Sequence, residues 1–347
     1  MDMKSATQKI TKYSWTGLFL ILFMLYIVRN THPDLSDRQS RPIKFQRDTV
    51  VYDVSPKEKK RKGSTNSGVT MQRRGNLLYP MVNVTNFPRI DDLDEEECQA
   101  MMDDVIVAPA SSMPLIALAS FPRSGNTWTR SLLQVATGYS TGSVHWESER
   151  NRQRVQEWFL AGTEDYMRQT GVCVKTHEFS IDHIPIFNNG AIILIRNPYY
   201  SVVSDYFRFF GGLKNISRDQ LVESMESRND HWTKVLLPQF QRWKLTNINW
   251  INNCKRLLVV FFEDLERDPV RELTRMVTFL GQPLLPRRIM CAIYNFRPME
   301  AHRSHMNFDP YTPEMHAILD SYIQEVNITL LQKGGNPLPT YEKYALT

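Results

Sequence analysis

The stretch Ser120-Phe121-Pro122-Arg123-Ser124-Gly125-Asn126-Thr127-Trp128 decides how this chain folds. It follows the apolar run Pro114-Leu-Ile-Ala-Leu-Ala119, which predicts a buried strand. It precedes Thr129-Arg-Ser-Leu-Leu-Gln-Val-Ala136, which predicts a helix. A strand, a tight basic Ser-Gly turn and a helix make a cradle for an anion. Backbone N–H groups of the turn and the positive end of the helix point at it, and Arg123 adds a fixed charge. The turn is too short for a nucleoside-triphosphatase loop, which needs Gly-x4-Gly-Lys-Ser/Thr.

Downstream, strands and helices alternate. Gly171-Val-Cys-Val-Lys-Thr176 and Ala191-Ile-Ile-Leu-Ile195 read as strands, as does Arg256-Leu-Leu-Val-Val-Phe-Phe262. Helices are expected over Ser201 to Phe210, over Trp232 to Trp243, and in the segment ending near Phe279-Leu280-Gly281. Apolar strands each followed by a helix indicate an α/β fold, a parallel sheet flanked by helices on both faces. Ligands in such sheets sit beyond the carboxyl ends of the strands. The residues at those ends are Arg123, Thr176-His177, Arg196 and Glu263-Asp264, expected on one rim. Trp232, Phe240, Trp243 and Trp250 read as core.

From about Met113 to the C-terminus the chain resembles the P-loop-type sulfotransferases that use 3′-phosphoadenosine-5′-phosphosulfate (PAPS). Phe121-Pro-Arg-Ser-Gly-Asn-Thr-Trp128 is similar to their 5′-phosphosulfate loop. Arg196-Asn-Pro198, with Ser204 eight residues after Arg196, is similar to their 3′-phosphate signature. Lys175-Thr-His177 looks like the strand-end triplet that supplies the base. Phe262-Glu-Asp-Leu265 and Asp268-Pro269 match the later strand-and-helix pattern. Lys175-Thr-His-Glu178, Arg196-Asn-Pro-Tyr199, Gly211-Gly212 and Leu258-Val-Val-Phe-Phe-Glu263 resemble the WSC-domain-containing sialate O-sulfotransferases. The chain departs from that group in having too few cysteines for WSC modules.

The resemblance implies PAPS as co-substrate, with Ser124, Gly125, Asn126 and Thr127 holding its 5′ end and Trp128 stacking on adenine. Arg196 and Ser204 would form a separate contact with the 3′-phosphate. Arg303, in a basic late stretch with Arg297, His302 and His305, would close over it. In-line transfer builds negative charge on the bridging oxygen, so a fixed cation accelerates it, and Arg123 is assigned that role. His177 is assigned as the base for the acceptor hydroxyl, with Glu178 and Glu147 as alternatives and Lys175 contacting the transferred group. Sulfuryl transfer calls for no metal. The implied acceptor is a sialylated or related glycan.

The N-terminus reads as a targeting signal. Trp15 to Val28 is nearly all apolar, Lys4, Lys9 and Lys12 precede it, and Arg29 closes it. With Tyr13 and Ser14 it approaches the lower limit of a spanning helix, about 17–25 residues. Small residues suited to signal cleavage do not follow it, and the lysines favour a cytosolic N-terminus. The expected order is a cytosolic tail (1–12), a transmembrane signal anchor (13–29), a flexible lumenal stem (30–112) and the sulfotransferase domain (113–347). The expected address is the Golgi membrane, single-pass type II. The sequons Asn83-Val-Thr85, Asn215-Ile-Ser217 and Asn327-Ile-Thr329 agree with a lumenal domain. Cys98, Cys173, Cys254 and Cys291 allow one or two disulfides in an oxidising lumen, with three full connectivities open.

The net charge of +5 demands no nucleic-acid partner. Lys57-Glu-Lys-Lys-Arg-Lys62 and Arg73-Arg74 read as a solvated basic segment. Two other readings stand beside the sulfotransferase. Asp92-Leu-Asp94 is a metal-binding-type triplet that a lumenal glycosyltransferase would use. A non-catalytic glycan-binding protein on the same fold would bind PAPS without turnover.

Overall fold

The apolar runs set the frame. The computed structural model describes residues 70–150, 158–209, 231–296 and 309–343. Its strands are β1 (Thr70–Arg74), β2 (Leu77–Met81), β3 (Ala117–Ser120), β4 (Gly142–Ser143), β5 (Val174–Thr176), β6 (Ala191–Ile195) and β7 (Leu257–Phe261). They form one sheet in the order β1-β2-β7-β6-β3-β5-β4. Every neighbouring pair is parallel except β1 with β2, an antiparallel hairpin at the edge. β3 lies between β5 and β6, so the chain leaves it towards one side and returns on the other. A ligand crevice opens at such a switch point.

The helices are α1 (Glu95–Asp103), α2 (Asn126–Thr137), α3 (Trp146–Arg150), α4 (Pro198–Phe209), α5 (His231–Asn253), α6 (Phe262–Arg267), α7 (Pro269–Phe279), α8 (Pro286–Asn295) and α9 (Pro313–Gln332). Successive strand residues point to opposite faces, and the core divides accordingly. Ala117, Ala119, Ile193, Ile195 and Phe261 pack with Val202, Trp243, Trp250 and Leu319, from α4, α5 and α9. Ile116, Leu118, Ile192, Leu194 and Val260 pack with Leu132, Val135, Met276 and Ile289, from α2, α7 and α8. Phe240, Trp243 and Trp250 are fully buried, as expected of core.

The stem expected over 30–112 ends earlier than its composition suggests. Residues 30–69 lie outside the described residues, but from Thr70 the chain is part of the domain. β2 pairs with β7 through Leu77 and Leu257, and Leu77 is fully buried. Asn76 Nδ2 donates to the carbonyls of Ile251 and Cys254 at 2.8 and 2.7 Å. The acidic run then opens α1, where Asp94 caps the helix by accepting from Glu97 N at 2.8 Å. That use of Asp94 removes the ground for reading Asp92-Leu-Asp94 as a metal triplet. Cys98 on α1 forms a disulfide with Cys291 on α8, while Cys173 and Cys254 are buried thiols. Burial pushes the Cys173 thiol up to about 12.

The strand expected from Gly171 is shorter. Its first residues run beside Ser140, with Val172 N donating to Ser140 O at 2.9 Å, and β5 begins at Val174. Among the described residues no helix is long and apolar enough to cross a membrane. The expected anchor at 13–29 lies outside them, as do Asn215, Gly211-Gly212, Arg297, His302, Arg303 and His305.

Candidate functional site

The loop between β3 and α2 is shaped by two left-handed residues. Arg123 has φ 63° and Gly125 φ 89°. A Cβ on Gly125 would sit 2.4 Å from the Phe262 ring, so both the backbone angle and the space require glycine. The N–H groups of Asn126, Thr127 and Trp128 open α2 and have no intrahelical partner. The Ser124 hydroxyl is buried with no hydrogen-bond partner. An orphaned hydroxyl, open helix N–H groups and a guanidinium fit a bound anion. The Asn126 side chain serves the scaffold instead, donating to Leu118 O at 3.0 Å and Ser120 Oγ at 3.2 Å.

The residues expected to make two separate anion contacts bond to one another. Arg123 Nε donates to Ser204 Oγ at 2.9 Å. Arg196, which follows β6, donates from Nη1 to Arg123 O at 2.8 Å. The Arg196 guanidinium lies over the Phe262 ring at 4.3 Å. Trp128 meets the same ring edge-on at 5.8 Å, and its Nε1–H donates to Phe296 O at 2.7 Å. Phe262 is therefore a floor under Gly125, Trp128 and Arg196 together. Sequence reasoning used it only as part of a strand pattern. An aromatic residue directly after an apolar strand, at a ligand-bearing rim, was the available signal.

Glu263 follows Phe262 and accepts from Asn197 N through Oε1 at 2.8 Å, which fixes the turn after Arg196. Its Oε2 is buried without a partner. Burial pushes this carboxyl up to about 7, against the hydrogen bond from Asn197 and the Arg196 charge.

His177 follows β5 on the same rim. Its Nδ1 lies 2.9 Å from Ser120 O and 3.4 Å from Ser120 Oγ. A carbonyl only accepts, so Nδ1 carries the proton and Nε2 keeps its lone pair. Burial, then the Lys175 charge, hold the pKa well below the ordinary 6.5, with smaller contributions from His145 and Arg242. The imidazole is thus neutral near pH 7, the form that takes up a proton. The His145 ring stacks on it at 5.9 Å.

The alternatives to His177 lie differently. Glu178 is half-buried; its backbone N donates to Thr176 Oγ1 at 3.0 Å and its carbonyl accepts from Trp250 Nε1 at 2.9 Å. Glu147 is exposed on α3. Lys175 is half-buried in β5, and Thr127 is exposed at the start of α2. Arg303 lies outside the described residues. Among those residues, no group of three or more His, Cys, Asp or Glu is arranged to hold a metal ion.

Residues 114–320 match the family model described as the sulfotransferase domain. The chain is 31% identical over 234 residues to the WSCD family member CG9164 of Drosophila melanogaster, covering 67% of this chain and 71% of that one. It is 30% identical over 218 residues to the WSCD family member AAEL009094 of Aedes aegypti, covering 62% and 66%. Among solved structures, a sulfotransferase from Alicyclobacillus acidocaldarius superimposes with a TM-score of 0.38 at 14% identity, covering 65% of this chain and 97% of that one.

Proposed function

Because the chain belongs to the sulfotransferase domain family and to the WSCD family within it, we propose that it moves the sulfuryl group of PAPS to a hydroxyl of a glycan, of the sialylated kind. One observation carries this reading: Arg123, Arg196 with Ser204, and a neutral His177 stand together at the carboxyl ends of β3, β6 and β5.

PAPS, when bound, supplies the sulfuryl group and a phosphate leaving group. The left-handed loop and the open N–H groups at the start of α2 hold its 5′ end, with the Ser124 hydroxyl turned inward beside them. Arg196, laid on Phe262, and Ser204 hold its 3′-phosphate. Arg123 borders both and neutralises charge growing on the bridging oxygen. Ser120 O keeps the His177 proton on Nδ1, so Nε2 receives the proton of the acceptor hydroxyl. Trp128, held by Phe296 O and Phe262, offers an aromatic surface to the adenine.

The proposed setting is the Golgi lumen, on a type II anchor at 13–29. The apolar run with preceding lysines, the sequons and the Cys98–Cys291 disulfide support it, since disulfides persist in oxidising compartments. The test is to incubate the protein with sulfur-labelled PAPS and a panel of sialylated and asialo glycans, then map the label. Label on a glycan hydroxyl is expected. PAP binding without any labelled product would favour the non-catalytic reading instead.

A further inference from the structure

α5 brings to the rim a cation that no motif announced. Its Asn249 Nδ2 donates to Phe179 O at 2.8 Å, and Trp250 Nε1 donates to Glu178 O at 2.9 Å, so the helix is tied to the segment after His177. Trp243 Nε1 donates to Arg196 O at 3.1 Å, which ties it to the end of β6 as well. Arg242 stands next to the Trp243 tie, about two turns before Asn249 and Trp250 and on their side of the helix.

The Arg242 guanidinium lies 6.0 Å from the centres of both the Phe121 and Phe179 rings. Its Nε is buried with no hydrogen-bond partner. Among the described residues no carboxylate stands at ion-pair distance from it. Asp205 spends Oδ1 on Arg208, at 2.9 Å from Nε. A guanidinium carries five N–H donors in a fixed fork that matches a carboxylate. Near two rings on this rim, its Nε lacks the acceptor that a buried donor requires.

We propose that Arg242 recognises a carboxylate on the acceptor sugar, holding that sugar so that its hydroxyl meets His177. This inference rests on the sulfotransferase reading of the same site and adds the residue that selects acidic over neutral acceptors. Its competitor is a purely structural arginine that closes on the buried Oδ2 of Asp205, which also lacks a partner.

The test is titration of the PAP-loaded protein with the methyl glycoside of N-acetylneuraminic acid and with the same sugar methyl-esterified at its carboxyl. Wild type is expected to bind the acid roughly ten- to a hundredfold more tightly than the ester, the range of a charge-assisted contact. Arg242→Gln should abolish that preference, and Arg242→Lys, which keeps the charge and guards against a folding defect, should retain part of it. PAP affinity should stay unchanged in both. Equal binding of acid and ester by wild type, binding of neither, or a preference that survives Arg242→Gln overturns the inference. A protein that fails to bind PAP at all instead sinks the sulfotransferase reading on which it rests.

Discussion

At the scale of single residues, the site depends on two whose environments leave little choice. His177 is a base because its neighbours keep it neutral. Its pKa is depressed, so the proton-accepting form persists as pH falls below 6.5 and is lost only when pH passes below the depressed value. The acid limb of kcat/KM should therefore lie below pH 6.5. His177→Ala should lower turnover roughly 10²–10⁴-fold with PAP affinity little changed. Near-normal turnover in that variant, with loss in Glu178→Gln or Glu147→Gln, would move the role to the glutamate. Gly125 is the second. Gly125→Ala puts a Cβ into Phe262 and forces a left-handed alanine, a strain of about 1–3 kcal/mol. Relief requires the loop or Phe262 to shift, and Phe262 also carries Arg196 and Trp128. PAP affinity should thus fall by at least tenfold in calorimetry, and an unchanged affinity would contradict the role of Phe262 as a floor.

At the scale of elements, the ends of β6 and β7 are joined by one carboxylate. Glu263 has a folded-state pKa of about 7 against an ordinary 4.5, so between those values the folded state binds more protons than the unfolded state. Stability from this group is full below about pH 4.5 and declines as pH rises through 7. Glu263→Gln keeps an acceptor for Asn197 N and removes the titration. The melting temperature of the variant should consequently gain on wild type as pH rises from 5 to 8, measured calorimetrically; parallel curves would exclude Glu263 as the titrating group. The two described sequons differ in the same structural terms. Asn83 is exposed in the turn after β2, where its Oδ1 accepts from Thr85 N and Oγ1 at 3.0 and 2.8 Å. Asn327 lies within α9 and its Oδ1 accepts from Leu338 N at 2.9 Å. In the lumenal setting proposed above, Asn83→Gln should remove one glycosidase-sensitive mobility step and Asn327→Gln none.

At the scale of the whole molecule, Cys98 and Cys291 close a loop of 193 residues in sequence separation. The pair joins α1 to α8, alongside Arg288 Nη2 to Met101 O at 2.9 Å and Asn295 Nδ2 to Cys98 O at 3.0 Å. A loop of that length limits the unfolded chain by up to about 5 kcal/mol in the chain-entropy picture. Cys98→Ser should lower the denaturation midpoint, and reducing agent should do the same to wild type and nothing further to the variant. A midpoint insensitive to both would mean that α1 is held by packing alone.

Local rules carried much of this protein into view. The apolar runs at Ala191–Ile195 and Leu257–Phe261 read as strands because a sheet covered on both faces needs unbroken apolar sequence. The basic Ser-Gly turn before a helix marked the anion cradle, because that chemistry lies within a few consecutive residues. Other features were decided only by tertiary structure. Thr70–Met81 has neither the length nor the apolar run of a buried strand, and it becomes sheet because Leu77 meets Leu257. The pairing of Cys98 with Cys291, the place of Phe262 beneath Gly125 and Arg196, and the arrival of Arg242 near Phe121 and Phe179 join residues tens to hundreds of positions apart. Local sequence records what a residue can do within its own turn or strand; which distant residue stands opposite it is set by how the layers close.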